Sequence, residues 1–345
     1  MHRTGLSSTP RADQGRLTTV ENPFRRFRRA RASLPEKPLR DELLSIERLE
    51  ERAKSLAARF TVAPASRRAR RLFPRLGDNA RVLRAAYATL ADDVHRGEFI
   101  TPPAEWLLDH FHLVTAEIRA VRQNLPHAYY RELPRLAQRQ WAGHARVYAM
   151  ALELIRHSDS RLDRSQLVRF MNSYQSVAPL TIGELWAWPS MLRLALIENL
   201  RRLAEEILVA RESRMAADVT VTQVETGLQP PSLPASGDTA YVVRLLQRVR
   251  EYGLRLSPLH AAIERYLSDR GMTTEDAIRT EHQRQATAQV SVANVLTSLR
   301  LCSMLSSSSR RGFSGRDARR KLRKGFSTVV SRPWSARGVQ ASPSF

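Results

Sequence analysis

"PLTIGELWAWPSMLRLALIENLRRLAEE", Pro179–Glu206, is the stretch that decides the fold. Thr181 and Glu184 stand as T-x-x-E, the spacing of a capping box, in which each side chain satisfies an amide that the first helical turn leaves open. Pro189 follows about two turns in, where it removes a backbone hydrogen bond and predicts a kink. Beyond it Leu192, Ala195, Leu196, Asn199, Leu200, Leu203 and Ile207 keep the helical period as far as Arg211. The pattern predicts one long kinked helix, with Trp186 and Trp188 packed near the bend.

Helical patterns surround it on both sides. Upstream, Leu43, Ile46, Leu49, Ala53 and Leu56 form one apolar stripe within 39–60. Helices are predicted at 78–95, with Leu83, Tyr87 and Leu90 inward, and at 101–125, with Thr101 as N-cap and Pro102 at the first helical position. The latter buries Leu107, Phe111, Val114, Ile118 and Val121, and Trp106 is expected to pack. Helices at 141–157 and 164–175 follow, then the long helix, then 239–252, 257–270 and 274–300, the last capped by Thr273 with Asp276. Strand alternation is weak and confined to "DVTVTQV" (218–224). The expected fold is an all-α multi-helix bundle. Its divisions are a disordered basic arm (1–38), a helical region (39–212) with a connector at 61–76, a linker or loop (213–238), a helical subregion (239–301) and a disordered basic tail (302–345).

The chain carries a formal charge of +22, placed unevenly. Residues 1–40, 59–75 and 302–345 hold net charges of +7, +6 and +9, which account for the whole excess. The patterned body carries 30 charges of each sign and is neutral. A nucleic-acid-binding domain places its basic footprint on a folded face, so nucleic acid is disfavoured as a partner. The cluster at 24–31, with Phe24 and Phe27, could instead touch an anionic membrane surface, although a solvated tail explains it more simply. One cysteine, Cys302, rules out an internal disulfide framework. No stretch has the roughly 18 uninterrupted apolar residues of a membrane span.

Candidate chemistry is sparse. Glu105, Asp109 and His112 stand at steps of four and three, and Asp92 and His95 repeat part of that spacing. A di-iron bundle needs facing glutamates and Glu-x-x-His pairs, which are missing, so a solvated helix face explains these residues better. His110 and His112 diverge on a helix. Tyr129, Tyr130, Trp186 and Trp188 could stack on sugar rings, but aromatics at helix bends are more often core. Cys302 has no identifiable histidine partner. Phosphate-binding, nucleotide-binding and hydrolase motifs are absent. No catalytic, cofactor-binding or metal residue is assigned, and no cofactor is expected in this chain. The residues of interest are structural: Thr181 and Glu184 (cap), Pro189 (kink), Trp106, Trp186 and Trp188 (packing).

Seven segments, in order, resemble one family: "LLSIERLEERAKSLA" (43–57), "LFPRLGDNARVLRAAY" (72–87), "ITPPAEWLLDHFHLV" (100–114), "LPHAYYRELPRLA" (125–137), "DSRLD" (159–163), the opening stretch to Glu205, and "TEHQRQATAQVSVANVLTSLRL" (280–301). Together they resemble the N-terminal region of bacterial cyclic β-1,2-glucan synthases. The resemblance implies a long inner-membrane glycosyltransferase that draws on UDP-glucose for carbohydrate biosynthesis and carries a glycoside-phosphorylase-like module. It implies, as partner, the remainder of that synthase, and a place on the cytoplasmic face of the inner membrane; a fragment on its own would be cytoplasmic. Neither catalytic module has a counterpart here, so catalysis by this chain alone is not expected. The change of character after Leu301, with 52 arginines against 4 lysines across the chain, suggests a fragment whose sequence is frame-shifted from about Cys302. The alternative reading is a stand-alone helical interaction protein that binds anionic lipid or nucleic acid through its basic ends. A helical metalloenzyme using Asp109 and His112 is a third.

Overall fold

The computed structural model describes residues 36–63, 72–138, 141–227, 233 and 237–311. The arm at 1–35, including 24–31, and residues 312–345 lie outside the described residues, as does half of the connector (64–71). Eleven α-helices are found among those described: α1 Ile46–Arg59, α2 Leu72–His95, α3 Pro102–Asp109, α4 Phe111–Asn124, α5 His127–Glu132, α6 Arg146–His157, α7 Arg164–Gln175, α8 Ile182–Glu225, α9 Thr239–Tyr252, α10 Ser257–Ser268 and α11 Thr274–Arg311. Two short strands, β1 Val62–Ala63 and β2 Arg135–Leu136, pair antiparallel, with Val62 opposite Leu136. The all-α expectation holds.

At 44 residues, α8 is the axis of the molecule, about 66 Å long at 1.5 Å per residue. Helices α2, α4, α6, α9 and α11 all pack on it, while α1 packs on α7. Two apolar cores form along it. The larger gathers Leu49, Leu83, Leu107, Val114, Tyr148, Phe170, Trp188, Met191 to Leu208, and Val292 to Cys302. The smaller gathers Ala217 and Val221 with α9, α10 and Ala277. Because α11 enters the second core first and the larger core last, the two long helices run antiparallel and connect both cores.

Several predicted boundaries shift, each for a physical reason. The first helix starts at Ile46, where the Ser45 hydroxyl accepts from the Arg48 amide. The segment before it is an extended strap that sends its amides elsewhere: Asp41 N–H to the Arg156 carbonyl and Leu44 N–H to that of His157. Leu43 is consequently 63% exposed and does not join the stripe. The predicted helix at 101–125 breaks at His110, because α3 packs on α11 while α4 packs on α8. Thr101 stands at the N-cap position but makes no side-chain cap bond, and is buried instead.

Two further corrections concern the long helices. The expected loop after residue 212 is helical to Glu225. Its β-branched run tolerates the helix because Thr220 and Thr222 donate to the carbonyls of Ala216 and Asp218, while Ala217 and Val221 bury against α9. Packing outweighs intrinsic propensity there. The expected break at Cys302 is also absent: α11 runs unbroken to Arg311, Cys302 is fully buried, and Leu305 packs on the larger core. Pro189 likewise sits inside α8 without interrupting it.

Candidate functional site: a buried ionic spine

From Ser190 to Arg201 every residue of α8 is buried, so the charges in that stretch must face protein. They do so in pairs. At the helix start the capping box is complete: the Glu184 amide donates to Thr181 Oγ1 at 3.2 Å, and the Thr181 amide donates to Glu184 Oε2 at 2.9 Å. Glu184 is wholly buried and also clamped by the Arg146 fork, Nε to Oε1 at 2.8 Å and Nη2 to Oε2 at 2.6 Å. The cap is thus also a tertiary anchor between α6 and α8. Two turns on, Arg193 pairs with Glu117 of α4 at 2.6 Å and donates to the Cys302 carbonyl at 2.9 Å.

Glu198 is the hub. Arg75 grips it with both nitrogens at 3.0 and 2.7 Å, Asn79 donates at 2.8 Å, and Arg201 and Arg202 add contacts at 3.1 and 3.2 Å. Burial opposes its charge, but the Arg75 fork, the charges of Arg75 and Arg201 and the Asn79 amide outweigh that and hold the carboxyl well below the usual carboxylate range. Arg201 reaches on to Glu205 at 2.7 Å and to Glu36 of the strap at 2.6 Å. Asn199 accepts from the Leu39 amide at 2.6 Å and donates to Ser160 Oγ at 2.9 Å. Asp159 and Ser160 both have positive φ, 45° and 61°. That turn persists because Asp159 holds Arg40, Ser291 and Asn294, and Ser160 holds Asn199 and Ser298.

Of the packing residues, Trp188 is buried and stacks on Phe170 at 6.4 Å. Trp186 is 45% exposed and Trp106 37%, the latter stacked on His110 at 5.1 Å; these two lie at the surface rather than in the core. Glu105, Asp109 and His112 are all exposed, and the break at His110 puts Glu105 and His112 on different helices. Asp92 pairs with Arg96, and His95 Nδ1 contacts the Ala91 carbonyl. Among the described residues no group of three or more His, Cys, Asp or Glu could hold a metal ion. Tyr130 is buried under the Arg135 guanidinium, 4.9 Å from its ring centre, and the Tyr129 hydroxyl donates to the Gly183 carbonyl. Tyr130 is thus closed to a sugar, while Tyr129 is half-buried. Cys302 is sealed in the core, and burial pushes its thiol up to about 12. Among the described residues no helix is long and apolar enough to cross a membrane.

The ionic spine was missed in the sequence, although a signal for it exists. Met191, Leu192, Leu194, Ala195, Leu196, Ile197 and Leu200 surround the helix on every side, which leaves no polar face for Arg193, Glu198 or Arg201 to occupy. Such charges must be buried and therefore paired. The partners of Glu198 and Arg193, Arg75 and Glu117, lie on other helices and carry no local mark.

No protein-family model matches the chain. The cyclic beta-(1,2)-glucan synthase NdvB of Rhizobium meliloti (strain 1021) is 33% identical to it over 231 residues, which is 65% of this chain and 8% of that protein. The chain therefore spans only a small part of that relative's length. With the all-α architecture and the ordered segments that first suggested it, this identity makes the chain a relative of the N-terminal region of the cyclic β-1,2-glucan synthases.

Proposed function

We propose that this chain is a non-catalytic helical scaffold of a cyclic glucan synthase, which docks on the glucosyl-transferring and membrane modules of that enzyme at the cytoplasmic face of the inner membrane. The observation that carries this reading is the use made of the buried acids. Glu117, Glu184, Glu198 and Glu205 are each held by an arginine, and for the first three that arginine comes from another helix. A catalytic acid or base needs a carboxyl that can take up or release a proton near neutral pH, and Glu198 is held far from that condition. The spine instead fixes how α2, α4, α6 and α8 pack.

Two measurements test this. The purified chain, incubated with UDP-glucose, is expected to transfer no glucose. Deletion of the matching 231 residues from the relative is expected to abolish its glucan output while its remaining modules are still made. Glucose transfer by the purified chain, or full glucan output from the deleted synthase, would overturn the proposal.

A further inference from the structure

The strap before α1 sits in the body as a bound peptide would. Residues 36–44 form no helix or strand, and Leu39 is their one fully buried residue, 4% exposed in the larger core. Its amide donates to Asn199 Oδ1 at 2.6 Å. Three residues earlier, the Glu36 carboxylate takes Arg201 at 2.6 Å and Arg202 at 3.0 Å, and Arg202 also donates to the Lys37 carbonyl at 2.9 Å. On the other side of Leu39, Arg40 reaches Asp159 at 3.1 Å and Ser291 of α11. The amides of Asp41 and Leu44 donate to the last two carbonyls of α6, at 3.0 and 3.1 Å. Main-chain hydrogen bonds for affinity and a side-chain pocket for specificity are the means by which grooves hold peptides.

The bonding left behind marks the strap as removable. Without it Arg201 keeps Glu198 at 3.1 Å and Glu205 at 2.7 Å, and Arg202 keeps Glu198 at 3.2 Å. Asn199 keeps Ser160, and Asp159 keeps Ser291 and Asn294. The two α6 carbonyls stand at a helix end, where water serves in place of a peptide amide. Each polar group that grips the strap therefore has a second partner in the body or in water, and lifting the strap strands no buried charge. On the strap's own side Glu36 is 50% exposed, and Lys37, Arg40, Asp41 and Glu42 are exposed as well. A segment with one buried anchor and exposed neighbours opens locally before the core does.

We propose that the strap is a removable occupant of a peptide-docking groove formed by α6, α8 and α11. When the strap lifts, the groove takes an outside segment of the same chemistry: a carboxylate three residues before a leucine, with an arginine directly after it. The tethered strap competes with that segment, so the resting chain blocks its own groove.

Hydrogen exchange on the full chain is the first test. The amides of 36–44 are expected to exchange together, about a hundredfold faster than those of Ser190–Arg201, as local opening requires. The second test follows a labelled peptide of residues 36–45, EKPLRDELLS, by fluorescence anisotropy. Leu39→Asp, which drives the strap out, should bind it about tenfold more tightly than the wild type, whose groove is free only in the lifted fraction. A peptide carrying Leu39→Asp should not bind, and one carrying Glu36→Gln should bind more weakly. A wild-type dimer that Leu39→Asp abolishes would identify the outside segment as the strap of a second copy. The proposal is overturned if the 36–44 amides exchange only as fast as those of α8, or if Leu39→Asp loses its helical circular dichroism. It is also overturned if folded Leu39→Asp binds the peptide no better than the wild type does.

Discussion

The two halves of α8 solve the same problem differently. Between Ser190 and Arg201 the helix is surrounded by protein, and the charges of Arg193 and Glu198 are matched inside the larger core by Glu117 and Arg75. Between Arg211 and Glu225 it is covered on one side only. There Met215 and Val219 are 48% and 57% exposed, the ion pairs sit at the rim, and the buried Nη1 of Arg214 has no hydrogen-bond partner. Where water is excluded on all sides, an unmatched charge is too costly to keep; where one side is open, water can screen a loosely matched one.

The sharpest way to break this contrast is to remove the hub. Glu198→Ala takes the buried hub carboxylate from Arg201, which is 1% exposed, and from Arg75, which is 35% exposed, and is expected to cost about 3–5 kcal/mol. Glu117→Ala should cost a similar amount by stranding Arg193. The double variant Glu117→Leu/Arg193→Met, which removes both charges and keeps apolar bulk, is expected to recover most of that loss, since buried pairs can be replaced by apolar residues at little cost. Urea unfolding followed by tryptophan fluorescence measures all three. Trp188 sits in the larger core and the smaller core contains no tryptophan among its described residues, so this signal reports the matched half. A double variant as unstable as Glu117→Ala would mean that the pair is needed for itself.

Acid and alkali should both strike the larger core. The folded pKa of Glu198 is depressed, so its stabilisation is present above the unfolded carboxylate value, about 4.3, and is lost as pH falls through its folded value. Unfolding with a fluorescence change is therefore expected below about pH 4. Burial pushes the Cys302 thiol and the Tyr174 hydroxyl up to about 12, from ordinary values of 9.0 and 10.0. Their folded pKa values are raised, so stability is full below the unfolded values and declines as pH rises from about 9 toward 12. Cys302→Ala should flatten the start of that alkaline limb. An unchanged limb would place the sensitivity in the tyrosines.

Much of the fold was legible because it rests on local rules. The T-x-x-E at Thr181, the Thr273–Asp276 cap and the 3.6-residue stripes of α7 and α9 depend on residues within one or two turns of each other. What was not legible depends on distant partners. The extension of α8 through 216–225 rests on burial against α9, and the break at His110 rests on α3 and α4 choosing different neighbours. Trp186 and Trp188 stand two residues apart and so point away from each other, one outward and one into the core; alternation alone could not say which. The groove under the strap depends on three helices meeting, with no motif to announce it.

The smallest expected effect comes from the rim pair of the second half. Asp218 is 35% exposed and Arg244 22%, so their contact is partly screened by water. Asp218→Asn should cost about 0.2–1 kcal/mol, and the cost should shrink further as salt rises. Because tryptophan fluorescence is blind to this half, far-UV circular dichroism is the measurement that can see it. A loss above about 3 kcal/mol, the scale of a stranded buried charge, would show that the second half is matched as tightly as the first, and the contrast between the two would fail.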